Sequence, residues 1–136
     1  MINLLITPLF ILMGFNLELT KENVYEACIA YEIKHPKIVA AQAYLETGNL
    51  ECENCSLDYN NLFGFFICKE RDAENNCISS GYISFDHWVF SIAYYKRWQD
   101  KRYKGGNYYK FLTKINYATA LDYNDKVKQL VTQYFE

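Results

Sequence analysis

Apolar residues first recur at helical spacing at Val24, Ala27, Cys28 and Tyr31, which fall at i, i+3, i+4 and i+7. That stripe predicts a helix running to about Ile33 with one inward face, and Thr20 is placed to cap its N-terminus. Pro36 opens a second helix at the first position, where a missing N–H does no harm. Residues 36–47 read PKIVAAQAYLET and are apolar nearly all round, the pattern of a central buried helix, and Gly48 stops it. From 49 to 81 the texture turns to Asn, Glu, Cys, Asp and Gly broken by short apolar runs. These predict two short strands, 62–68 and 78–85, joined by a polar hairpin loop. Asp86 then caps a long helix to about Trp98, with Val89, Ile92 and Ala93 inward and Lys96, Arg97, Lys101 and Arg102 clustered near its end. Gly105 and Gly106 break the chain. A short helix over 108–115 follows, with Tyr108, Phe111, Leu112 and Ile115 on one side. After a loop at 116–121, Asp122 caps a last helix whose stripe is Val127, Leu130, Val131 and Tyr134. The fold class is α+β, a mostly helical domain with a small β insertion.

Residues 1–15, MINLLITPLFILMGF, carry no charge and are too few for the roughly 20 that span a bilayer. The run fits the apolar region of a signal peptide and predicts export, although a basic n-region and a clean cleavage site are missing. The competing reading is a short first helix or strand of the folded domain. The remainder, 16–136, reads as one domain expected to act as a monomer, with no stable membrane span. A formal charge of -2 gives no basic footprint for nucleic acid. Aromatic residues make up 18% of the chain, with 13 Tyr among them. Flat faces with a polar tip suit sugar rings, and they suit an aromatic core equally well.

Cys52 and Cys55 form a CxxC, but Cys68 and Cys77 supply no second one, which argues against a zinc ribbon. In an exported chain one or two disulfides would staple the middle, Cys68 with Cys77 across the hairpin being the first expectation. The odd count of 5 cysteines leaves one thiol unpaired within a monomer. No metal or organic cofactor is implied. HExxH, GxSxG and Gly-rich phosphate loops are absent from the sequence.

Glu46 ends the apolar helix, preceded by Ala43, Tyr44 and Leu45 and followed by Thr47 and Gly48. Partial burial and the negative end of the helix dipole would both raise its pKa, as an acid that keeps its proton near neutrality requires. The plain alternative is a solvated helix-end carboxylate. QAYLETG (42–48), NNLFG (60–64) and NYATALDY (116–123) resemble, in order and spacing, the motifs of the bacterial glucosaminidase family. These are the peptidoglycan N-acetylglucosaminidases of glycoside hydrolase family seventy-three. The intervening FDHWVFSIAYYKRW (85–98) is similar to the family's helix after its β lobe.

The resemblance implies a lysozyme-like fold with a groove between a helical lobe and a β-hairpin lobe. It also implies cleavage of the β-1,4 bond after N-acetylglucosamine in peptidoglycan glycan strands. Glu46 matches the family's catalytic general acid, and Tyr117 the tyrosine lining the cleft beside it. Asn61, Phe63 and Gly64 fall on the Asn-x-Phe-Gly motif, with Asn61 fixing the loop beneath the site and Gly64 permitting close backbone approach. Ala120 and Leu121 replace the family's usual Asp-Pro, while Tyr123 keeps its later tyrosine. Asn61, Phe63, Tyr82 and Tyr123 are the expected substrate contacts, with Tyr94 a further candidate for the groove floor.

The second carboxylate that glycosidases usually need has no clear match; Glu70, Asp72, Glu74 and Asp58 are the candidates. A base activating water would give inversion, and help from the substrate's acetamido group would give retention. Trp88 is expected in the core, His87 at the surface or in a cap, and His35 at the start of the second helix. Two rivals stand beside the glucosaminidase reading. One is a muramidase or lytic transglycosylase on the same scaffold, and the other a catalytically silent glycan-binding module.

Overall fold

The computed structural model describes residues 17–136, so the expected signal peptide lies outside the described residues. Helix α1, Lys21–Ala30, starts where Thr20 accepts the Asn23 N–H on its hydroxyl at 3.1 Å and buries Val24, Ala27 and Cys28. It stops short of the predicted Ile33 because Glu32 turns left-handed at φ 55. The Glu32 N–H then bonds Ile29 O at 2.9 Å and the Ile33 N–H bonds Cys28 O at 3.0 Å, a Schellman closure. Helix α2, Pro36–Glu46, has Pro36 in its first turn and buries every side chain from Val39 to Ala43. His35 sits at its N-cap, stacked on Tyr108 with ring centroids 5.1 Å apart. Gly48, at φ 52, closes the far end, the Asn49 N–H bonding Tyr44 O at 2.8 Å.

A Cys52–Cys55 disulfide and a short 3-10 turn, Ser56–Tyr59, lead to the β lobe. Strand β1, Phe66–Arg71, pairs antiparallel with β2, Cys77–Tyr82, in the register Phe66 to Tyr82 and Cys68 to Ser80. Cys68 and Cys77 are bridged as expected, and Cys28 is a buried free thiol. The hairpin lies further along the chain in β1, and ends earlier in β2, than the apolar runs predicted. Residues 62–65 are not strand because Asn61 folds them into a turn, its Nδ2 donating to Phe65 O at 2.9 Å and to Ile83 O at 3.0 Å. Leu62 and Phe63 are apolar because they plug the core, whereas the strands themselves stand largely exposed.

Helix α3, Trp88–Arg102, is capped by His87, whose Nδ1 accepts the Val89 N–H at 3.1 Å, and not by Asp86. It runs past the predicted Trp98, burying Trp88, Val89, Ile92, Tyr95 and Gln99, with Lys101 and Arg102 in its last turn. Helix α4, Tyr108–Lys114, is capped by Asn107, and α5, Tyr123–Leu130, leads into a π-helical turn, Val131–Phe135. Asp122 makes no side-chain cap bond; its carboxylate lies 3.3 Å from Lys126 Nζ. The wider turn adds a residue per repeat, so Phe135, not the predicted Tyr134, turns into the core against Tyr25 and Tyr44. The result is α+β, with α2 packed between α1 and α5 and the hairpin standing off the helical body. Among the described residues no helix is long and apolar enough to cross a membrane.

Candidate active site

Glu46 stands on the last turn of α2, where the buried run Val39–Ala43 gives way to the half-buried Tyr44, Leu45 and Glu46. Burial pushes its carboxyl above the usual range, and the neighbouring Tyr123 phenol works against that rise. The helix-end acid is therefore partly desolvated, not freely solvated. It lines an open cavity of about 480 Å³ together with Leu45, Tyr117, Tyr123 and Lys126. The loop before α5 brings Tyr117 there, its N–H held by Leu112 O at 3.0 Å.

The β lobe reaches the same carboxylate from the other side. A Cβ built on Gly64 would lie 3.9 Å from Glu46 Oε2 and 4.0 Å from Tyr82 Cε1. Gly64 holds φ 69, so it is the backbone conformation that favours glycine here, since a Cβ would make only ordinary contacts. Asn61 sets that turn from beneath. It is fully buried, and its Oδ1 accepts the Phe65 N–H at 3.1 Å while its Nδ2 ties Phe65 to Ile83.

Glu46, Tyr117 and Tyr123 thus share one cavity, with Gly64 and Tyr82 across from the acid. Asn61 and Phe63, expected among the substrate contacts, are both buried, and Phe63 packs on Tyr95 with ring centroids 4.6 Å apart. Both lie beneath the loop that carries Gly64. Tyr94 packs against Phe65 with tilted rings, centroids 4.7 Å apart, on the hairpin side of α3. Trp88 is buried in the core, its indole N–H donating to Leu17 O at 3.2 Å.

None of the candidate second carboxylates lines the cavity with Glu46. Glu70, Glu74 and Asp58 are exposed. Asp72 is used locally, accepting the N–H groups of Glu74 and Asn76 at 2.9 and 2.8 Å to close the hairpin turn. Those bonds hold its carboxyl below the usual range. Among the described residues no group of three or more His, Cys, Asp or Glu gathers as a metal site.

Two features escaped the sequence. The Tyr117 hydroxyl is buried with no hydrogen-bond partner among the described residues, an arrangement that costs stability and calls for a reason. Beside Tyr82 stand two exposed rings, Phe66 at 4.6 Å and Tyr59 at 5.8 Å. Neither ring belongs to a periodic stripe, so only the pairing of β1 with β2 and the 3-10 turn assemble them.

Residues 21–136 match the family model described as glucosaminidase, mannosyl-glycoprotein endo-β-N-acetylglucosaminidase. No curated protein and no solved structure matches the chain. The match spans both lobes and every residue of the cavity, and the chain belongs to the glucosaminidase family.

Proposed function

We propose that this member of the glucosaminidase family, a glycoside hydrolase, cuts the β-1,4 bond after N-acetylglucosamine in peptidoglycan strands, with Glu46 as general acid. The observation that carries the reading is a carboxyl raised by burial at the wall of an open cavity, with Gly64 of the β lobe set beside it. A general acid must hold its proton until the leaving oxygen takes it, and burial supplies that property. Tyr82, with Phe66 and Tyr59 beside it, offers ring faces on which pyranose rings stack as the strand leaves the acid.

Glu46 is the one carboxylate among the residues lining the cavity, which favours assistance from the substrate. The acetamido oxygen attacks the anomeric carbon as the glycosidic C–O bond breaks and the leaving oxygen takes the Glu46 proton. Water then opens the cyclic intermediate, losing a proton to the Glu46 carboxylate, and configuration is retained. Cys52–Cys55 and Cys68–Cys77 fit an oxidising compartment and so an exported enzyme acting on the wall as a monomer.

The lack of a second carboxylate in the cavity also favours one rival, a silent module that binds glycan without cutting it. Incubation of the protein with purified peptidoglycan from acid to neutral pH separates the two. Released soluble fragments support the hydrolase; binding to the wall without release contradicts it.

Tyr117 acts as a helper whose hydroxyl, unpartnered among the described residues of the free protein, finds its partner only when the sugar is bound. Tyr117→Phe removes an unpartnered buried hydroxyl, so the variant is expected to be more stable by ~1 kcal/mol, a rise in Tm of about 4 °C. Turnover is expected to fall by up to about tenfold, the worth of one hydrogen bond in the transition state. Thermal melts and turnover on the same preparation check both, and an unaltered rate would reduce Tyr117 to a packing ring.

A further inference from the structure

Behind Tyr123 a line of buried polar side chains runs through the helical body to the turn between α1 and α2. The backbone of Lys34 pins the Gln99 amide, its N–H donating to Oε1 at 2.9 Å and its carbonyl accepting from Nε2 at 2.8 Å. Gln99 Nε2 also donates to the Tyr108 hydroxyl oxygen at 3.1 Å. Tyr108 and Tyr95 share a hydrogen bond of 2.6 Å, and Tyr95 donates to Gln42 Oε1 at 2.7 Å. Gln42 Nε2 in turn donates to the Tyr123 oxygen at 3.2 Å.

Counting protons gives this line a direction. Each phenol has one proton to give. The Tyr95 proton is committed to the Gln42 carbonyl oxygen, so the bond between the two phenols is donated by Tyr108. Gln42 then presents an N–H to Tyr123, and an amide nitrogen accepts nothing back. The Tyr123 proton is left facing outward, toward the cavity wall that Tyr123 shares with Glu46.

We propose that Gln42, its amide orientation locked by Tyr95, is a positioning residue that turns the single proton of Tyr123 onto the Glu46 carboxyl group. The acid's own proton is thereby kept on the other oxygen, available to the leaving group. This rests on Glu46 being the general acid. The groups that face Glu46 are Tyr123 and Lys126 of α5, Tyr117 of the preceding loop, and Gly64 with Tyr82 from the β lobe. Burial raises the Glu46 pKa, and the neighbouring Tyr123 phenol works against that rise.

The test is a carbon-13 titration of the Glu46 carboxyl in the full chain, read beside the basic limb of the pH–rate profile. Tyr123→Phe removes the donor, and the Glu46 titration is expected to move up by about one pH unit. Tyr95→Phe frees the Gln42 amide to turn over and offer its oxygen to Tyr123, whose proton then swings inward. The Glu46 titration is expected to rise there too, although Tyr95 itself lines no part of the cavity. The double variant should shift no further than Tyr123→Phe alone. A role in packing would lower stability and leave the titration in place. The proposal is overturned if Tyr95→Phe folds with the wild-type Glu46 titration, or if the two shifts add. Should Tyr95→Phe not fold, Tyr123→Phe reads the last link by itself, and an unmoved titration there overturns the proposal. Full turnover in Glu46→Gln would instead remove the general-acid reading, and the titrations would still decide the hydrogen-bond line.

Discussion

Glu46→Gln is expected to keep the fold and to lower turnover on peptidoglycan by about 10³-fold, within the range that a positioned general acid contributes. The amide nearly matches the carboxyl in shape, but it has no acidic proton to give. A second consequence separates this variant from simple damage. The Glu46 pKa is raised in the fold, so its stabilising effect is complete below the unfolded value and is lost as pH rises through the folded one. At neutral pH the wild-type protein therefore holds a partly desolvated charge that the Gln variant does not. The variant is expected to melt higher than wild type at neutral pH, with the two curves converging in acid. Wild-type turnover itself should fall as pH rises through the Glu46 pKa. Circular dichroism, melts at both pH values and fragment release check all of this. Retained turnover would end the assignment.

Asn61→Ala is expected to be the most damaging substitution in the β lobe. Asn61 is fully buried and spends its amide on the carbonyls of Phe65 and Ile83 and its oxygen on the Phe65 N–H. Truncation removes those bonds and strands backbone groups away from water, for an expected loss of about 3 kcal/mol and about 12 °C in Tm. The damage extends to function, because the same turn sets Gly64 against Glu46. Asn61→Asp keeps the acceptor and loses the donor, so it should rescue little. A denaturant series with turnover measured alongside tests this, and a loss below about 1 kcal/mol would mean that the disulfides and strand pairing suffice to hold the loop.

Helical periodicity marks α1 and α4, because a buried stripe at 3.6-residue spacing is distinctive, and α2 is marked by an all-round apolar run between Pro36 and Gly48. Gly48 and Thr20 marked their helix ends through conformational requirements that few other residues meet. The hairpin was placed out of register for a physical reason. Its strands pack no core, so Phe66 and Ile67 stand exposed and no apolar alternation identifies them. The apolar run at 62–65 belongs to a plug under the site, held by one side-chain amide. The π-helical turn was equally invisible, since the extra residue changes which side chain turns inward without changing composition.

Glu46 lies far along the sequence from the segment that holds Tyr117 and Tyr123, and only the family motifs suggest that they meet. The structure adds the reason that they do. α2 and α5 pack against each other, and the loop entering α5 is tied to the end of α4. The line from Lys34 to Gln42 had no sequence mark at all. Buried glutamines and tyrosines look like ordinary polar positions until their partners are seen.

The most direct measurement is the chemical identity of the new chain end. Purified peptidoglycan is digested with the protein, the reducing ends are converted to sugar alcohols with borohydride, and the fragments are sized by mass spectrometry. Cleavage after N-acetylglucosamine predicts fragments ending in reduced N-acetylglucosamine, absent with Glu46→Gln. Fragments ending in reduced N-acetylmuramic acid, or in its anhydro form, would contradict the account.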